Sequence, residues 1–226
     1  MKLMLLTLIV AKVAFSTPEP AIEDVMARFD EAGIAWNAID QVNWPAYPCK
    51  PLAEFRIMHS ETEIYLQFHV RENGVRATYD YDFGSRPYTD DCVEFFLIPS
   101  DRDSSYFNLE MNCIGHGTFS YGPNRFERHD CNDQLLSQIR RYSTLGSQAF
   151  GTREGPQEWT LTLAIPKRLY AQADLDLTAF SGRTLRANFY KCGDNTAVRH
   201  FLSWSPVRTE RPNFHTPEWF GEIRFE

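Results

Sequence analysis

Residues 63–70, Glu-Ile-Tyr-Leu-Gln-Phe-His-Val, carry an apolar side chain at every second position without a break. Successive side chains of a strand point to opposite faces, so this pattern suits a strand with one face in a core. The same period recurs over residues 53–58, 106–112 and 185–191. Residues 92–98 (Cys-Val-Glu-Phe-Phe-Leu-Ile) and 159–165 read as buried strands, and residues 220–225 as a last one. Gly, Pro, Asp and Asn separate these runs. The pattern predicts an all-β fold, an antiparallel β-sandwich of immunoglobulin-like or jelly-roll-like kind.

Helical spacing is confined to short stretches. Ile22, Val25, Met26 and Phe29 predict a helix over residues 20–32, closed by Gly33. Leu135, Leu136 and Ile139 predict a second over residues 133–141, and residues 166–171 a helical turn. No internal repeat or linker divides the 226 residues, which read as one domain. The N-terminus admits two readings. Residues 1–16 fit a short signal segment with a cleavage box at residues 14–16, or a first strand over residues 6–13. Lys12 interrupts the apolar run, which puts the strand, and a cytoplasmic location, ahead of secretion. No stretch reaches the roughly 20 apolar residues of a membrane span.

The net charge of −7 removes the basic field that a phosphate backbone needs, so nucleic acid is not an expected partner. None of the five cysteines is spaced Cys-x-x-Cys, which argues against a zinc or redox motif, and their odd number against a disulfide framework. Cys92 and Cys113 lie in apolar runs and read as buried thiols.

The chemistry concentrates in residues 86–99. Tyr88 stands beside Asp90, Asp91 and Glu94 at the mouth of an apolar strand. A strand that spends a buried position on Glu94 must give the carboxylate a partner: a cation, a metal or ligand hydroxyls. An aromatic face beside fixed carboxylates suits a sugar, whose C–H face the ring covers while the carboxylates accept from its hydroxyls. Asn108, Glu110 and Asn112 share one strand face, either a solvated outer sheet or a polar ligand floor. In the proline-rich segment 200–221, Trp204, Trp219 and Phe220 read as plugs at the end of the sandwich, and Phe214 as the exposed ring.

Taken in order, Tyr88-Thr-Asp-Asp-Cys-Val-Glu-Phe-Phe-Leu, Asn108 to Asn112, Trp159-Thr-Leu-Thr-Leu-Ala-Ile-Pro166, Arg186-Ala-Asn-Phe-Tyr-Lys191, Ser203-Trp-Ser-Pro and Asn213-Phe-His-Thr-Pro-Glu-Trp-Phe-Gly resemble the family 9 carbohydrate-binding modules, in their stand-alone branch, over residues 39–226. The resemblance implies a β-sandwich without catalytic activity that holds a sugar between two rings. By position these are Tyr88 and Phe214, where xylanase-attached members carry Trp. It puts Glu94 at an acidic contact, Arg211 where those modules use an amide, and Glu110 where they use Arg. It also implies structural calcium, a polysaccharide ligand such as xylan, and a glycosidase partner. The expected site is Tyr88, Asp91, Glu94, Asn112, Lys191, Arg211 and Phe214. Rival readings are a glycosidase using Asp91 and Glu94, a haem-binding sandwich with Met111 and His116 as axial ligands, and a protein-docking edge around Phe214.

Overall fold

The computed structural model describes residues 7–100, 105–173 and 180–226. In chain order the described elements are β1 (Thr7–Lys12), α1 (Ile22–Glu31), β2 (Asn37–Ala38), β3 (Gln41–Val42), β4 (Leu52–His59), β5 (Glu63–Ala77), β6 (Cys92–Ile98) and β7 (Tyr106–Asn112). They continue with β8 (Gly117–Gly122), β9 (His129–Asp130), α2 (Asp133–Leu136), β10 (Arg140–Ser143), β11 (Gly151–Pro166), β12 (Thr184–Gly193), β13 (His200–Ser203) and β14 (Gly221–Phe225).

One sheet runs β10-β11-β5-β4 and the other β14-β12-β6-β7-β8-β9. Both ladders are antiparallel throughout. The sandwich expected from the alternating runs is therefore present, with one difference. β1 runs parallel to β14 through residues 7–10 and parallel to β4 through residues 11–12, joining the two sheets at one side. Alternation within a strand carries no information about the direction of its neighbours, so the parallel pairs could not be read in advance.

The facing sides of the sheets make the main core. Ile64, Leu66, Phe68 and Val70 of β5 meet Val93, Phe95 and Leu97 of β6, and Phe107, Leu109 and Met111 of β7. Phe55 of β4 stacks on Phe189 of β12, with centroids 3.6 Å apart, locking one sheet onto the other. Burying each such ring stabilises the fold by about 1.5–3 kcal/mol. α1 lays Val25 and Phe29 on Met58, Tyr65 and Ala164, on the far side of the first sheet, and Gly33 ends it with φ 62°.

α2 is shorter than the expected 133–141. Leu136 and Ile139 are buried as the stripe demands, but Arg140 onward pairs with β11, and the ladder's hydrogen bonds displace the helix. A 3-10 helix over Lys167–Ala173 follows β11.

Candidate functional site

The parity of β6, β7 and β12 decides what faces where. Val93, Phe95, Leu109, Met111 and Phe189 point into the main core. Cys92, Phe96, Tyr106, Tyr190 and Cys192 point to the outer side of the second sheet and pack in a separate cluster with Phe214 and Phe220. The loop between β13 and β14 folds across that outer face. Trp44 Nε1 donates to the Thr209 carbonyl at 2.9 Å, and the Val207 amide donates to Asn43 Oδ1 at 2.9 Å. Asn108, Glu110 and Asn112 are buried, so the row is not a solvated outer face.

Between this loop and the sheet lies a hollow of ≈ 350 Å³. Tyr88, Glu94, Glu110, Arg125, Asn213 and Phe214 contribute to its lining. Tyr88 stands at the rim, 40% exposed, on a 3-10 turn whose carbonyl accepts the Asp194 amide at 2.9 Å. Phe214 is only 8% exposed, which corrects the expectation of a projecting ring. It stacks on Tyr190 (centroids 4.1 Å apart) with Trp44 and Phe201 around it, so the loop aromatic is held from behind rather than displayed.

Glu94 and Glu110 sit directly opposite each other across β6 and β7. Burial, assisted by Cys192 and Glu110, holds the Glu94 carboxyl well above the usual carboxylate range. Burial also raises Glu110, although Asn108 donates to its Oε1 at 2.7 Å. Cys192 Sγ donates to Glu94 Oε1 at 3.1 Å. His215 is pushed down to about 3 by burial and then by Arg128 and Arg125, and its Nδ1 lies 2.8 Å from the Tyr106 hydroxyl.

The other expected site residues lie elsewhere. Lys191 and Asp91 fall on the inner parity and meet at the open end of the core. Lys191 Nζ donates to Asp91 Oδ1 at 2.8 Å and approaches Glu72 Oε2 at 3.0 Å and His200 Nε2 at 2.7 Å. These groups border a larger cleft of ≈ 600 Å³, lined by Glu72, Asp91 and His200 together with Cys49 and Arg71. Burial opposes the charge on Lys191, but Asp91 and Glu72 carry it above its ordinary range. Burial likewise works against Asp91, yet the ammonium keeps it low. Glu72 is pushed up to about 7 by burial, with the Asp91 carboxylate beside it, and His200 is driven down to about 3 by burial and Lys191. Asn112 is fully buried, donating to the Tyr79 carbonyl at 2.8 Å and to Asp90 at 3.1 Å. Arg211 is exposed, one residue before the hollow's Pro212, and does not line it.

The rival arrangements do not assemble. Asp91 and Glu94 lie on opposite faces of one chain segment, so they cannot flank a single glycosidic bond. Met111 is buried in the core, while His116 Nδ1 faces Asp82 at 3.2 Å. Among the described residues, two clusters of potential metal ligands, Cys92–Glu94–Cys192 and Glu72–Asp91–His200, do not fit the calcium implied by the resemblance. The first is sulfur-rich, and Lys191 Nζ fills the middle of the second.

A sandwich with a ring-lined hollow on the outer face of one sheet can be compared with known proteins. Residues 23–225 match the family model for carbohydrate-binding family 9. The chain belongs to carbohydrate-binding family 9. A crystal structure from Bacteroides uniformis ATCC 8492, assigned provisionally as a carbohydrate-binding protein, shares 39% identity over 97% of this chain and 99% of its own, with a TM-score of 0.91. Two family 9 carbohydrate-binding module structures from Caldicellulosiruptor kristjanssonii share the fold. The complex with glucose has 16% identity, a TM-score of 0.60, and covers 97% of this chain and 95% of its own. The complex with cellotriose has 15% identity, a TM-score of 0.57, and covers 97% and 93%. No curated protein matches the chain. Family 9 modules bind carbohydrate without processing it.

Residues such as Arg125 and Asp194, which also line the hollow, carried no periodic signal because they lie in loops. Glu110 was already in view as part of the Asn108–Glu110–Asn112 row, and Cys192 falls on the same strand parity as Tyr190.

Proposed function

We propose that the hollow beneath the β13–β14 loop binds a neutral carbohydrate, with one sugar ring between Tyr88 and Phe214. Glu94, Glu110, Arg125 and Asn213 make the polar contacts. One observation carries this reading: two aromatic rings and a pair of opposed carboxyls border the same hollow. A volume of ≈ 350 Å³ is at the small end for ligand pockets and suits a chain end or short oligosaccharide. Tyr88 forms the exposed outer wall. Phe214, backed by Tyr190, forms the rigid inner one. Each ring contact is worth about 1 kcal/mol beyond area burial. The family 9 modules bound to glucose and cellotriose favour the end of a β-linked glucan as the ligand class, and the partner this implies is a glycosidase acting on that polymer.

Calorimetry with glucose, cello-oligosaccharides and xylo-oligosaccharides tests the reading. Tyr88→Ala and Phe214→Ala should each weaken binding by about tenfold or more. Undiminished affinity in both variants refutes the clamp, and no binding to any of a broad glycan panel refutes the site.

A further inference from the structure

Two thiols stand side by side at the floor of the hollow. Cys92 on β6 and Cys192 on β12 are register partners, and Glu94 is the next outer-face residue along β6. The two Sγ atoms and a Glu94 carboxylate oxygen all lie within 4.8 Å of one another. All three side chains are buried, while Glu94 and Cys192 also border the hollow, so the set is open on one side only. We propose that Cys92 Sγ, Cys192 Sγ and one Glu94 oxygen form a binding site for a soft divalent metal of the zinc class, its fourth position facing the hollow.

The ligand chemistry selects the metal. Two thiolates and a carboxylate suit zinc or cadmium and do not suit calcium or magnesium, which require oxygen. Tetrahedral zinc has Zn–S bonds of about 2.3 Å and Zn–O bonds of about 2.0–2.2 Å. Its ligand atoms then stand about 3.5–4 Å apart, within the observed span. Neighbouring strands of one sheet hold all three side chains, so little must be ordered on binding. Acidic and basic groups both stand nearby, Arg125 among the hollow's lining residues. Glu110 faces Glu94 across the ladder, and Asp194 borders the same hollow. Lys191, the nearby ammonium, is already paired with Asp91 and Glu72. Binding must displace the thiol protons, including the one Cys192 directs at Glu94, so protons are released as metal enters. The Glu72–Asp91–His200 cluster makes no such site, because Lys191 Nζ bonds Asp91 and His200 and pairs with Glu72 in the space a cation would take.

The test uses the full chain, kept reduced with a phosphine and free of carbohydrate, titrated separately with Cd²⁺ and Zn²⁺. One tight equivalent of each should bind, Cd²⁺ with a thiolate-to-metal charge-transfer band. X-ray absorption of the zinc-loaded wild-type protein should show two sulfurs at about 2.3 Å with oxygen completing the shell. Cys192→Ser should weaken Cd²⁺ binding by more than the roughly 10–100-fold that outer partners of a metal contribute. Cys49→Ser, at the far cleft, should leave it unchanged. Cys92 is wholly enclosed and its variant risks misfolding, so the wild-type absorption spectrum is the deciding measurement. Absence of a tight equivalent, a zinc shell lacking two sulfurs, or a band that survives Cys192→Ser overturns the proposal.

Discussion

The rings of Phe214 and Tyr190 lie parallel, 15° apart with centroids separated by 4.1 Å, and the Tyr190 hydroxyl donates to the Phe214 carbonyl at 3.2 Å. One sheet residue therefore holds both the side chain and the backbone of a loop residue. The loop aromatic acquires the rigidity of β12, which is what a flat sugar face requires of its support.

Tyr190 does not itself line the hollow, yet its truncation should reach the ligand. Tyr190→Phe keeps the stack and removes one buried hydrogen bond, at a cost of about 1 kcal/mol of stability and little affinity. Tyr190→Ala removes the backing as well, costing about 3–5 kcal/mol of stability and about tenfold in sugar affinity. Thermal unfolding and calorimetry on both variants separate the two effects.

Lys191 is enclosed between Asp91, Glu72 and His200. Lys191→Met leaves two buried carboxyls without their cation and should cost about 3–5 kcal/mol in denaturant unfolding. Adding Glu72→Gln should restore part of the loss. Sugar affinity of the folded variant should stay within about twofold, since Lys191 faces the inner side of the sheet. A selective loss of affinity with unchanged stability would return Lys191 to the sugar site.

Acid should weaken the fold through Asp82. Its carboxylate accepts from Arg141 at 2.8 and 3.0 Å and from the Gly117 amide at 3.1 Å. Burial works against the charge, but His116 and Arg141 bring the group down to about 2 from 3.8. The folded value lies below the unfolded one. The stabilisation is therefore complete above about pH 4 and is lost as pH falls toward about 2, an amount of about 2 kcal/mol. Asp82→Asn should narrow the difference in urea midpoint between pH 6 and pH 2.5, while the wild type shows most of the fall.

Gly117 faces Met111 at the start of β8, and a Cβ there would stand 1.8 Å from the Glu110 carbonyl oxygen. Backbone cannot yield as a side chain does. Gly117→Ala should push β8 off β7, destabilise the fold by about 1–3 kcal/mol and disturb Glu110 at the hollow. Amide exchange along β7, read by NMR, should rise locally. An unaltered exchange pattern would show that the strands part without strain.

Much of the sandwich was readable from period-two alternation. The inward sets of β5, β6 and β7 are the apolar sets that alternation picks out, because a strand in this setting has one dry face. The helix after Pro20 was legible through its apolar spacing and Gly33. The second helix was overestimated because its stripe does not reveal that Arg140 can join a ladder with β11.

The site was legible in part. Tyr88, Glu94 and Phe214 do border one hollow, but Lys191 and Asp91, expected beside them, meet instead at the other cleft. Phe189 and Lys191 share a face, and Tyr190 and Cys192 share the other. A shift of one residue exchanges the hollow side for the core side. Applied strictly, the same parity rule would have drawn Cys192 into the site and left Lys191 out.

Local residue pattern by itself determined which segments extend and which of their sides is dry, since side-chain period and solvent avoidance are properties of a few neighbouring residues. Only the tertiary structure decided that a distant proline-rich loop would roof the outer face of the second sheet, bringing Phe214 over Glu94 and Glu110 to border one hollow. Burial depends on what else the chain brings to a place, and no stretch of sequence carries that information about itself.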